Sequence, residues 1–194
     1  MKTLPAVKPI PKDALILIPM RGTVLFPGVI MPLSIGRARS IAAAQEAARS
    51  ERPVGFLLQR DAAANDVGPA QVHWVGTSGQ VVRYISAPNG AHHMMVQGQG
   101  RFRVLEFLEG WPFLVARVAF VETAEDMTPE LEARFLQLKT QAAEAISLLA
   151  NAPEEIAGAV EGMSSPGQLA DMVANLLDVK PEDKQDLLDR KSVV

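Results

Sequence analysis

Between Met20 and Leu33 the chain reads MRGTVLFPGVIMPL, apolar enough for a buried strand yet broken by Pro27 and Pro32, with Gly22 and Gly28 flanking its centre. Proline brings no amide hydrogen to a ladder, so no continuous central strand can run through this stretch. The sequence therefore predicts pieces joined by a turn, and the flanking strands must accommodate the break.

Up to about residue 122 the chain is written in short β-type runs punctuated by glycine and proline. Strands are predicted at 14–19, 30–35, 54–59, 71–87, 92–108 and 113–122, with Gly76 and Gly79 permitting a bulge or bend in the fourth. Asn89-Gly90 in the PNGA segment predicts a hairpin that pairs the fourth and fifth runs antiparallel. A single helix is predicted inside this β half, where RARSIAAAQEAAR places Ile41, Ala44 and Ala48 on one face. The polar stretch 60–70 reads as the clearest exposed loop.

After residue 126 the grammar becomes helical. Thr128 suits a cap, Pro129 the first helical position and Glu130 the positive end of the dipole. Leu131, Phe135, Leu138, Ala142, Ala145 and Leu149 form a narrow seam that needs helical partners. Those partners follow at 152–163, 165–177 (with Ser165 and Gln168 as a capping box) and 180–189, joined by short loops that imply antiparallel packing.

Composition narrows the chemistry. With 48% apolar and 21% charged residues the chain has the balance of a globular protein. A net charge of −3 offers no basic footprint for a polyanion, so nucleic acid is disfavoured as a partner. There is no cysteine, hence no disulfide or thiolate chemistry, and the cytoplasm is the expected compartment. Residues 1–13, with Pro5, Pro9 and Pro11, read as an extended arm whose apolar run is too short for a signal or membrane segment.

No phosphate-cradling loop or G-x-S-x-G motif occurs, and VQGQGRF (96–102) reads as a bulged strand rather than a nucleotide loop. His92 and His93 are strand neighbours pointing to opposite faces and cannot readily share an ion; no metal or other cofactor is expected. Glu154 with Glu155, and Glu182 with Asp183, sit at helix starts where they complement the dipole. The candidates for binding are apolar. Met31, Met94, Met95, Trp111 and Phe113 lie near predicted edges and turns, and methionine adapts to varied polypeptide partners. Core packing is the alternative use of each.

The segment LIPMRGTVLFPGVIMPLSIGRARSIAA resembles the start of the amino-terminal, substrate-binding domain of Lon-type ATP-dependent proteases. That pattern is an apolar run followed by P-L-R, V-x-F-P, a P-L pair and G-R. Pro19, Arg21, Val24, Phe26, Pro27, Pro32, Leu33, Gly36 and Arg37 fall on it, with Met20 where leucine is commoner. Val96, Gly98 and Arg101 in VQGQGRFRVLEF resemble the V-x-G-x-x-R strand, and the likeness continues through LADMVANLLDVKPEDKQDLLD. It runs from about residue 14 to 189.

The resemblance implies an α+β fold: a PUA-like, mostly antiparallel pseudo-β-barrel with one inner helix over 14–122, then a small helical bundle over 128–190. Pro19, Arg21, Phe26, Pro27, Pro32, Gly36, Arg37, Gly98 and Arg101 are then scaffold before they are ligand contacts. It further implies a non-catalytic role, capturing unfolded or damaged polypeptides and helping a hexameric protease assemble, with the ATPase and Ser-Lys peptidase modules lying downstream as partners. The resemblance ends before LLDRKSVV does, and a fragment of the full protease is the expectation. A homo-oligomer is a further expected partner; a free-standing interaction module or adaptor and a PUA-like RNA binder are the competing readings, the second opposed by charge.

Overall fold

The computed structural model describes residues 9–87, 90–121, 127–147 and 154–190. In chain order the elements are β1 (Ala14–Met20), β2 (Ile30–Ile35), α1 (Ala38–Ser50), β3 (Val54–Leu58), β4 (Val75–Ser86), β5 (His92–Leu108), β6 (Leu114–Phe120), α2 (Pro129–Ser147), α3 (Glu154–Gly162), α4 (Pro166–Leu176) and α5 (Pro181–Asp189), with a 3-10 turn at Pro69–Gln71. The fold is α+β. Its six-stranded sheet runs β2-β5-β4-β3-β1-β6, and β6 also pairs with β5. Five strands therefore form a ring closed through β5, while β2 stands outside it as a wing, so the sheet is not a clean barrel. Every pairing is antiparallel except β1 with β3.

The long β5 serves three neighbours. Its first part pairs with β2 and its second with β6, while β4 follows it along most of its length. Bulges bend it between these partners. Gln99 and Gly100 face Ser78 alone, and Ser78 Oγ donates to the Gly100 carbonyl at 3.0 Å, so VQGQGRF is a bulged strand. Pro88 and Asn89 of the expected hairpin tip lie outside the described residues, but Ser86 opposite His92 fixes the antiparallel register.

The break in the opening stretch is a type II turn. Pro27 and Gly28 are its central residues, Gly28 has φ +77°, and the Val29 amide donates to the Phe26 carbonyl at 3.3 Å. The turn is seated on Gly98 of β5. The Gly28 amide donates to the Gly98 carbonyl at 3.0 Å and the Gly98 amide donates to the Val29 carbonyl at 2.8 Å. A Cβ on Gly98 would lie 2.2 Å from the Phe26 carbonyl oxygen, so the approach requires glycine.

On one face of the sheet, Ile16, Ile18, Val54, Phe56, Met94, Val96 and Val115 pack with Ala43, Ala44 and Ala47 of α1. Of the expected Ile41, Ala44 and Ala48 the helix buries Ala44, and its other buried residues are Ser40, Ala43 and Ala47. Small side chains let it lie close to the sheet, and Ile41 is left at the partly buried flank. Arg52, just past this helix, donates to the carbonyls of Ile10 at 2.9 Å and Pro11 at 2.7 Å. That ties down the described end of the 1–13 arm, of which residues 1–8 lie outside the described set. The expected strand at 71–87 starts only at Val75; before it, Val72 makes an isolated bridge to Gln59. The 60–70 loop is largely exposed but buries Val67.

In the helical part, Phe135, Leu138 and Ala142 turn inward as expected and Leu131 is half-buried, but Ile146 continues the stripe while Ala145 is exposed. A straight helix of 3.6 residues per turn drifts off a strict heptad, which explains the replacement. Leu149 lies outside the described residues. Thr128 Oγ1 accepts from the Leu131 amide at 3.2 Å and Ser165 Oγ from the Gln168 amide at 3.1 Å, which satisfies helix-start donors at α2 and α4. α5 lies against β4 and brings Asp186, Asp189 and Glu182 near His73.

Gly98→Ala is expected to destabilise the protein by about 2 kcal/mol or more through overpacking against backbone, read as a lowered urea midpoint. Burial, then Arg60, lowers the His73 pKa from its ordinary 6.5 against the pull of the α5 carboxylates. The unfolded chain then takes up this proton first, so stability is expected to fall as pH drops below about 6.5. In His73→Gln, urea titrations at several pH values should show a shallower acid loss.

Candidate functional site

Apart from Pro32, which lies in β2 opposite Met95, the scaffold residues of the sequence motif divide into two structural groups. Phe26, fully buried, packs among Val24, Leu58 and Val75 of the β part and Ala174 and Leu188 of α4 and α5. Beside it Arg101 of β5 reaches the helices. Its guanidinium pairs with Asp171 of α4, and its Nε donates to the Leu188 carbonyl at 3.3 Å. Asp171 is 4% exposed. Gln185 Nε2 of α5 donates to the Val75 carbonyl at 3.1 Å. Phe26, Pro27, Gly98 and Arg101 thus build the joint between sheet and helices.

Pro19, Arg21, Gly36 and Arg37 form the second group, around two adjoining clefts of about 300 and 430 Å³ at one end of the sheet. Both clefts are lined by Pro19, Arg37, Ser40 and Asn65. Arg21 donates to Asn65 Oδ1 at 2.7 Å and Arg37 to Gln59 Oε1 at 2.5 Å. Buried Gln59 in turn donates to the Ala64 carbonyl at 2.8 Å, pinning the 60–67 loop over the clefts. Burial, and then the neighbouring Arg21 charge, lowers the Arg37 pKa from its ordinary value.

The expected binding residues do not form one surface. Met94 (2% exposed) and Phe113 (7%) belong to the core, and Met31 and Trp111 pack partly buried against it. Met95 points the other way, as strand alternation requires. Register places it between Pro32 of β2 and Arg83 of β4, on an outer face that also carries exposed Ile30 and Ile85. Val82, the extra residue of a bulge in β4, is exposed beside them. His92 Nδ1 lies 2.7 Å from Tyr84 Oη and His93 Nδ1 3.1 Å from Ser34 Oγ, so the two rings have separate partners. Ile30, Met95 and Ile85 run diagonally across this face among exposed Ser34, Arg83, His93 and Gln97.

Residues 14–194 match the model of the family described as the ATP-dependent protease La (LON) substrate-binding domain. The chain belongs to this family. The match extends the Lon resemblance past residue 189 to the last residue of the chain. A Lon protease of Methylocella silvestris is 47% identical over 92% of the chain and 22% of its own length; one of Phenylobacterium zucineum is 45% identical over 93% and 23%. The chain thus spans about a fifth of the length of these relatives. The N-terminal domain of a Mycobacterium avium complex Lon protease has the same fold, with TM-score 0.73, 19% identity and coverage of 92% of this chain and 91% of that one. No helix among the described residues is long and apolar enough to cross a membrane.

Asp171, Gln185 and Ser40 were not singled out from the Lon-type sequence. The available signal for Asp171 was an acid within the apolar helix LADMVANLL. Asp171→Ala strands the Arg101 charge, and a loss of about 3–5 kcal/mol is expected from breaking such a buried pair, measured by chemical denaturation.

Proposed function

We propose that this Lon substrate-binding domain is a non-catalytic holder of unfolded or damaged polypeptides. In this reading it works in the cytoplasm with no cofactor of its own, alongside the ATPase and peptidase modules of the same protease, and supports homo-oligomeric assembly. The β part, 14–122, is a PUA-like pseudo-barrel that presents the polypeptide, and the helical part, 128–190, braces it. The motif residues are its scaffold.

The observation that carries this reading is the outer face of the wing, where Ile30, Met95, Ile85 and Val82 are exposed on neighbouring strands. Exposed apolar groups clustered on one face mark interaction surfaces. Pro32 removes an amide from the edge strand β2, which disfavours capture by adding a strand. Side chains, with methionine among them, then do the holding, and such contacts tolerate many sequences.

Replacing Ile30 and Met95 together by serine is expected to weaken binding of a labelled unfolded polypeptide by about tenfold, as loss of roughly 1.5 kcal/mol of apolar burial implies. Fluorescence anisotropy reads the affinity, and an unchanged melting temperature verifies the fold. Undiminished affinity in a folded variant sinks the proposal.

A further inference from the structure

The clefts at the start of α1 carry a second chemistry. Arg37 occupies the N-cap position of α1 without a side-chain cap, and the first turn holds no acidic residue. The first helical bond runs from the Ile41 amide to the Arg37 carbonyl at 2.9 Å, so the amides of Ala38, Arg39 and Ser40 have no acceptor within the helix. Ala38, Arg39 and Ser40 line the smaller cleft. Ser40 is 6% exposed and lines both clefts, and its hydroxyl has no hydrogen-bond partner among the described residues. Ser40 is nearly buried as a residue and lines both clefts, so its hydroxyl can hydrogen-bond to a molecule held there.

Charge points the same way. The partners of Arg21 and Arg37 are neutral: Arg21 donates to Asn65 Oδ1 and to the Ala64 carbonyl at 3.4 Å, and Arg37 to Gln59 Oε1. Asp66 also lines the smaller cleft, but its carboxylate is held by Arg39 at 3.1 Å in an exposed pair at the rim. Arg21 and Arg37 are close enough to repel, and an anion between them relieves that repulsion. Arg37 and Ser40 are common to both clefts, with the helix-start residues in the smaller and Arg21 in the larger, and guanidinium forks, helix-start amides and a hydroxyl are groups that suit a planar oxyanion. Leu17, Pro19, Val67 and Phe113 supply an apolar wall beside it.

We infer that the clefts around Arg21, Arg37 and Ser40 bind a carboxylate attached to an apolar group, of the kind a polypeptide presents at its C-terminus. The apolar wall favours a chain end over a bare inorganic anion, and two guanidiniums with neutral partners match one carboxylate. This inference rests on the polypeptide-holding reading only for the source of the carboxylate. Its clefts do not include Ile30, Met95, Ile85 or Val82 of the outer face, although Leu33, Ser34 and Ile35 of β2 line the larger one.

The test uses the whole chain and a short labelled peptide ending in leucine, as free acid and as C-terminal amide, followed by fluorescence anisotropy. The free acid is expected to bind about tenfold or more tighter than the amide, the scale of a charge-assisted hydrogen bond. Arg37→Gln, Arg21→Gln and Ser40→Ala should each weaken the acid and leave the amide unchanged. In the unaltered protein, the free acid should shift the amide resonances of Ala38, Arg39 and Ser40, a readout that needs no variant to fold. Equal affinity for acid and amide overturns the inference, as does a response of those resonances to inorganic phosphate but not to the peptide. Unfolded polypeptide that still binds through Ile30 and Met95 without acid-over-amide preference defeats the carboxylate site alone and leaves the wing reading standing.

Discussion

The architecture depends on the absence of a side chain at Gly98. Because nothing projects there, the turn from Phe26 to Val29 presses its backbone onto β5 and exchanges hydrogen bonds with it. Two consequences follow from that seating. On one side of the turn, β2 is delivered to β5 in register and becomes the wing; on the other, Phe26 enters the apolar joint beneath α4 and α5. A single backbone contact thus sets the position of both the outer face and the helical part.

The irregularities in the sheet have a shared logic. β5 has to change partners from β2 to β6, and extra residues let the strand bend between them. Leu105 is the extra residue opposite β6, as Val82 is in β4, and both are exposed. A residue with no counterpart across the ladder is not drawn into the core by the alternation that governs its neighbours. At these two positions apolar side chains are placed outside by geometry.

Much of this was legible locally. The turn at Pro27-Gly28, the strands 30–35 and 92–108 and the helix-capping Thr128 and Ser165 follow from neighbours in the chain, and the structure has them there. The two methionines at 94 and 95 show where local reading stops. Composition marks them as one adaptable pair, whereas the pleat sends Met94 into the core and Met95 to the surface, and only register decides which goes where. Long-range polar pairs left fainter traces still. Arg101 was noticed through a motif, but its partner Asp171 lies in a helix far along the chain, where no spacing rule connects them. The buried face of α1 was misplaced by about a residue because alanines surround it on every side, so apolarity alone cannot orient the helix.

The pairing of β1 with β6 also shapes how the molecule comes into being. β1 is made first, yet the neighbour that covers one of its edges arrives only with the last strand of the sheet, Ala14 lying opposite Arg117. During synthesis its apolar edge stays open while β2 to β5 emerge, and ring closure is a late, non-local event of the kind that slows folding. A nascent chain halted before residue 114 would present to its surroundings the same sort of unpaired apolar strand that the finished domain is proposed to capture in others.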